Sequence, residues 1–316
     1  MLSRILTIAL FALFFQACGE GSQDEIIYQP NKTQIQKPEL PREERLLALD
    51  HYKVECEDSE RCSAQTTVGI LIVGSDYSFC TGTLIDSQTV LTNHHCIQDL
   101  YESGKDCSSR IVVKNASSAE AYCQEIVAPF AQDKGLNDDP SSSRFARDAA
   151  LIKLSQPLAF PVNISQNFQF QSNQSAHILA VNPPLSGSLT AKMEVKDCVA
   201  TQNTNVFPSF QGQASSFVPL FNCTNQPRGG NSGSMIVNSQ GQPMGLFAWE
   251  YGIAQKRVPS LQSHPSFSPD EKIKFNVGIN INCLDFNAST DSLGWNQCQN
   301  HDQSGIDLLN IYSGRS

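Results

Sequence analysis

From Gln65 onward, short apolar runs alternate with turn-rich polar stretches, a rhythm of strands rather than helices. Residues 67–73, 79–85, 89–92, 110–114, 121–128 and 150–154 make a first set of predicted strands. A Pro/Asn/Gln-rich stretch, 156–174, reads as a crossing between two halves. The second set is 176–181, 193–199, 217–221, 234–238, 244–249 and 275–281, with Gln240-Gly241 as a hairpin turn. Many short strands at this spacing imply an all-β barrel or sandwich. Residues 306–311 carry apolar side chains at helical spacing and predict a short C-terminal helix.

The pattern changes at the other end. Arg4 precedes a nearly all-apolar run, 5–15. A spanning helix needs about 20 apolar residues, so this run reads as a signal peptide. The Ala17-Cys18 junction resembles a bacterial lipobox, in which the cysteine is lipidated and becomes the mature N-terminus. Phe15 and Gln16 depart from the aliphatic and small residues usual there. Residues 19–46 are polar and dotted with Pro30, Pro38 and Pro41, without a sustained apolar period. They read as a mobile tether. The expected organisation is a signal peptide at 1–17, a lipidated N-terminus and tether at 18–62, and a folded domain at 63–316.

Composition narrows the class. The chain has 316 residues, 40% hydrophobic and 17% charged, with a net charge of −9. That suits a globular exported protein. No Lys/Arg cluster offers the basic face a nucleic acid needs. Eleven cysteines are an odd number for an exported chain. Setting Cys18 aside leaves five sequence-neighbouring pairs, as an oxidising compartment allows. Cys56 and Cys62 are expected to close a small loop at the domain entrance. Adjacency alone pairs Cys107 with Cys123 and Cys283 with Cys298. No C-x-x-C occurs, which argues against a zinc site.

Three motifs carry chemistry. Cys80-Thr-Gly-Thr-Leu-Ile85 followed by Val90-Leu-Thr-Asn-His-His-Cys96 presents a histidine beside a cysteine. Arg147-Asp-Ala-Ala-Leu-Ile-Lys-Leu154 is an aspartate leading an apolar strand. Gly229-Gly-Asn-Ser-Gly-Ser234 is a serine flanked by glycines, followed by a strand, a hairpin turn and Gly245-Leu-Phe-Ala-Trp249. Each alone has an ordinary structural reading. Together, in the order His, Asp, Ser, they resemble the trypsin-like serine proteases, and that order differs from subtilisins and α/β-hydrolases.

The resemblance covers roughly residues 65–285 and implies two six-stranded antiparallel β-barrels with the site between them. It also implies a serine endopeptidase without a cofactor, acting on protein or peptide substrates. His95, Asp148 and Ser232 are the implied catalytic triad, with the amides of Gly230 and Ser232 as the oxyanion hole. The histidine motif implies a Cys80–Cys96 disulfide. His94, where the family has a small residue, is expected to be structural or solvent-facing rather than half of a metal site. Asp138 and Asp139 are rivals to Asp148 without a strand behind them. Cys198 and Cys223, with Asn231 before the serine, look like the bacterial branch that includes glutamyl endopeptidases.

The substrate pocket is expected around Gln226, Ala248, Trp249 and Glu250. Gln226 stands where trypsin has the Asp that attracts Lys and Arg. Pro227 and Ala248 stand where glutamyl endopeptidases have threonine and histidine. The resemblance therefore implies neither a basic nor an acidic side-chain preference. Glu250 and Arg228 read as solvated loop charges. The alternative is a non-catalytic protein-binding domain on the same scaffold, since fold alone does not confer activity. The expected location is the bacterial cell envelope, as an outer-membrane lipoprotein facing the periplasm or the cell surface.

Overall fold

The computed structural model describes residues 38–56, 66–117, 119–129, 147–159, 174–200, 216–257, 262–263, 265–287 and 292–295. Residues from Gln36 on form one compact unit. The signal peptide, Cys18, the 306–311 helix and most of the 156–174 crossing lie outside the described residues.

The described chain opens with α1 (Arg42–His51) and β1 (Lys53–Cys56). This corrects the reading of 18–62 as tether. Residues 42–56 belong to the fold, because α1 buries Ala48 and Leu49 while Arg45 reaches Ser109 O and Leu40 O. Then β1 pairs in parallel with β9 (Thr190–Ala200), and Lys53 N donates to Leu189 O at 3.0 Å. Pro41 just before the helix fits its first turn, where a missing N–H costs nothing.

The first barrel joins β2 (Thr67–Val73), β3 (Tyr77–Leu84), β4 (Thr89–Thr92), β5 (Ile111–Lys114), β6 (Glu120–Val127) and β7 (Ala150–Leu154). It closes in the order β2-β3-β4-β7-β6-β5, every pairing antiparallel. The second joins β8 (Gln174–Asn182), β9, β10 (Phe217–Phe221), β11 (Met235–Asn238), β12 (Pro243–Ala254) and β13 (Lys272–Asn280). A β8–β9 pairing closes the order β9-β10-β13-β12-β11-β8 into a ring. The fold is thus two closed six-stranded antiparallel barrels, with β14 (Leu284–Asn287) and β15 (Ser292–Trp295) as a hairpin after them.

The apolar runs explain the closure. Successive side chains of a strand point to opposite faces. In β2, Val68, Ile70 and Ile72 fill the first barrel, while Leu71 and Val73 turn outward into a second core. That outer core contains Leu49, Tyr52 and Val54 from the N-terminal segment, with Leu179, Val181 and Met193 from the second barrel. A separate apolar seam joins Leu91 and Leu151 to Met235, Leu246, Ala248 and Ile279. The barrels are buried against each other on two sides, and the functional motifs sit across the joint.

Three disulfides join described cysteines: Cys80–Cys96, Cys107–Cys123 and Cys198–Cys223. Cys56 and Cys283 are also disulfide-bonded. Their expected partners, Cys62 and Cys298, lie outside the described residues.

Candidate active site

His95 sits in the first turn of α2 (His94–Glu102), directly after β4. Asn93 precedes the helix in extended conformation and donates through Nδ2 to Asp148 O at 2.7 Å. That bond ties the histidine turn to the residue leading β7. Asp148 then makes two bonds to His95. Its Oδ1 accepts the His95 backbone N–H at 2.8 Å, and its Oδ2 lies 2.6 Å from Nδ1. Asp138 and Asp139 lie outside the described residues. His94 is buried with its ring edge-on to Tyr101, so it is structural and not solvent-facing.

Electrostatics follow from this pair. The crowded cleft opposes a charge on His95, but the Asp148 charge and hydrogen bond outweigh it and raise the imidazole above its ordinary value. Asp148 is desolvated, which favours the neutral acid. The charge of His95, its two hydrogen bonds and His94 outweigh that and hold the carboxylate low. The His95 side chain keeps 43% of its surface exposed against 12% for Asp148, so the imidazole has an edge open to the cleft.

The serine loop is held by both barrels. Thr81 in β3 donates its N–H to Ser232 O at 2.9 Å and its hydroxyl to Gly230 O at 2.9 Å. The same hydroxyl accepts from Val181 N at 3.0 Å. A Cβ on Gly233 would come within 2.0 Å of Thr81 O and 2.4 Å of Thr92 Oγ1, and its φ of +89° favours glycine. Gly230 is similar: its φ is +91°, and a Cβ would meet Pro183 Cδ at 2.8 Å. Both glycines are dictated by space as well as backbone. Cys96 Sγ lies 4.0 Å from Ser232 O, so the Cys80–Cys96 bridge passes beside both the histidine and the serine.

Ser232 is 9% exposed, and its Oγ donates to Ala248 O at 3.0 Å. Among the described residues, the N–H groups of Gly230 and Ser232 donate to no protein acceptor. The surrounding amides are engaged: Gly233 N bonds Phe247 O, Ser234 N bonds Asn231 O, and Asn231 N bonds Arg228 O. Among the described residues Gly229 N–H also meets no protein acceptor, but it lies on an exposed residue; the two free donors that bracket buried Asn231 are a means of receiving an oxygen with developing negative charge.

The pocket residues are placed as follows. Gln226 accepts from Asn276 Nδ2 at 3.3 Å and donates to Cys223 O at 3.3 Å. Ala248 and Trp249 lie where β12 shifts register against β13, and Trp249 packs edge-on to Phe217. Glu250 is on this strand, not in a loop, and pairs with Lys274 at 3.0 Å. Arg228 is exposed, yet its Nε donates to Asn182 Oδ1 at 3.3 Å. Sequence reasoning missed Thr81, Asn93, Asn182 and Asn276. Only Asn93 had a local signal, an asparagine at the position just before the turn that carries the histidine.

No curated protein matches the chain. Among solved structures, a Glu endopeptidase is 18% identical, with a TM-score of 0.45, covering 71% of this chain and 88% of its own. Neuropsin, a serine protease of mouse brain, is 17% identical, with a TM-score of 0.46, covering 70% and 91%. An inactivated protease paralogue of the scabies mite is 14% identical, with a TM-score of 0.45, covering 69% and 89%. The family model for trypsin matches residues 54–265, through the first barrel, the second as far as β12 and all three motifs, and the chain therefore belongs to the trypsin family of serine proteases.

Proposed function

We propose that this chain is an exported serine endopeptidase in which His95, Asp148 and Ser232 act as a triad. The observation that carries the reading is the double bond of Asp148 to His95, at Nδ1 and at the backbone N–H. It fixes the imidazole with a proton on Nδ1 and leaves Nε2 as the base. Ser232 Oγ turns from Ala248 O to His95 Nε2, loses its proton there and attacks the scissile carbonyl. The oxyanion receives the N–H groups of Gly230 and Ser232. His95 then protonates the leaving amine, and water hydrolyses the acyl-enzyme by the reverse use of the same base.

The second reading, a binding domain without activity, draws on one feature: the Ser232 hydroxyl is engaged with Ala248 O and not with His95. One experiment separates them. The purified chain is incubated with a complex peptide library, and cleavage is read by mass spectrometry beside Ser232→Ala. Internal cleavages that vanish in Ser232→Ala support the endopeptidase. Absence of cleavage by the wild-type chain favours the binding domain, and hydrolysis of ester substrates offered in parallel, without peptide cleavage, marks an esterase. The cleavage-site profile also gives the side-chain preference at the pocket of Gln226, Ala248, Trp249 and Glu250.

Export is supported by the disulfides. The finer location, an envelope lipoprotein tethered through Cys18, rests on the 5–15 run, the Ala17-Cys18 junction and the odd cysteine count. The bacterial branch is proposed on the Cys198–Cys223 bridge and Asn231.

A further inference from the structure

Beneath the serine loop lies a polar cluster that the three motifs do not include. In β8, Ala176, Ile178 and Ala180 fill the second barrel, and alternation puts Asn182 on the same face at its mouth. In β9, Cys198 and Ala200 fill that barrel, and alternation places Glu194 and Lys196 beside Asn182. The β8–β9 register agrees, pairing Ile178 with Lys196 and Ala180 with Glu194.

A lysine 1% exposed needs acceptors. Lys196 Nζ donates to Glu194 Oε1 and, at 3.0 Å, to Asn225 O. Glu194 faces Ala180 across the ladder and so lies diagonally beside Asn182 on the same face, and the Asn182 amide is among the groups that hold its carboxyl below the ordinary value. That neighbour has a consequence for direction. A carboxylate only accepts, so it draws the Asn182 amide nitrogen to itself and turns Oδ1 the other way. Asn182 Oδ1 then accepts from Asn231 Nδ2 at 3.1 Å and from Arg228 Nε at 3.3 Å. Asn231 is fully buried; its Nδ2 also donates to Val181 O at 3.0 Å, and its Oδ1 accepts from Arg228 N at 2.8 Å. Asn231 stands between the two residues whose N–H groups are free.

We propose that Glu194, clamped by Lys196, is a positioning residue that acts through Asn182 to fix Asn231 and so holds the amides of Gly230 and Ser232 in place for catalysis. The role rests on the proteolytic reading, and it adds residues from the mouth of the second barrel to the site. Removal of the fixed acceptor lets the Asn182 amide reverse. The loop then samples other arrangements while the substrate cleft stays intact.

The test uses the full mature chain with Glu194→Gln, Asn182→Ala and both together. Peptide turnover is read with amide exchange at Arg228 and Asn231. Glu194→Gln is expected to lower kcat about 10-fold or more, short of the ~10²-fold that a 1 Å misplacement costs. KM stays within about twofold, because the loss falls on an interaction made in the transition state. Asn182→Ala gives a similar loss, and the double variant is no worse than either single one, since both cut one chain of bonds. Exchange at Arg228 and Asn231 quickens in all three. Multiplying losses in the double variant, or an unchanged kcat and unchanged exchange in Glu194→Gln, overturn the proposal. A wild-type chain without turnover overturns the proteolytic reading instead. In that case faster exchange in Glu194→Gln still supports the link from Glu194 to the loop, and unchanged exchange overturns it.

Discussion

Asp148 makes two bonds to one histidine, and each removes a different freedom. The bond to the His95 N–H holds the turn, while the bond to Nδ1 holds the ring and its tautomer. Asp148→Asn keeps the size but presents an amide to Nδ1, which favours the wrong tautomer. Turnover is expected to fall by about 10⁴, the scale known for this change in trypsin, while Asp138→Asn and Asp139→Asn change it little. Equal losses at the three positions in steady-state assays contradict the assignment. The same residue governs pH dependence. Catalysis needs neutral His95, and Asp148 raises its pKa above the ordinary value. kcat/KM should therefore climb with rising pH through an apparent pKa above about 6.5. In Asp148→Asn the raising charge is gone while the crowding remains, so that limb moves to lower pH. A limb that stays in place assigns it to another group.

At the scale of elements, the N-terminal segment is the main departure from expectation. Leu46, Leu47 and Leu49 are too short a run to show a helical period, and the prolines before them, Pro30, Pro38 and Pro41, mask it. What makes α1 a helix of the fold is the outer core it covers, with Leu71, Val112 and Leu179 contributed from far along the chain. Leu49→Ala is accordingly expected to cost about 2–5 kcal/mol in a denaturation curve, where a residue in a tether would cost nothing. The predicted strands were legible because β-branched alternation is local. The hexapeptide around Ser232 was legible for the same reason. The residues beneath it were not: Asn182 and Lys196 meet the loop only after the second barrel has closed. The Cys80–Cys96 bridge links β3 of the first barrel to the histidine helix. Replacing both cysteines by serine should cost about 2–5 kcal/mol and lower turnover at temperatures where the chain is still folded. A bridge without bearing on the site would lower stability alone.

For the whole molecule, the position of the N-terminal segment bears on how the enzyme becomes active. In trypsin-like zymogens a cleaved N-terminus supplies an ammonium to an Asp before the serine. Here that residue is Asn231, whose amide is already bonded to Val181, Asn182 and Arg228. The junction most like a zymogen start, Lys53-Val54, lies inside β1 and is paired with β9. The intact chain is therefore expected to be active as folded. Cys18→Ala should in turn release the protein from membranes, and a mature N-terminus without an acyl mass contradicts the anchor. The most direct measurement of the central claim is active-site titration of residues 19–316 carrying Lys53→Gln and Arg61→Gln with a fluorophosphonate. One equivalent of probe on Ser232, absent in His95→Ala and present without any added protease, is the expected result. No adduct on Ser232, or an adduct only after deliberate cleavage near residues 53–62, contradicts it.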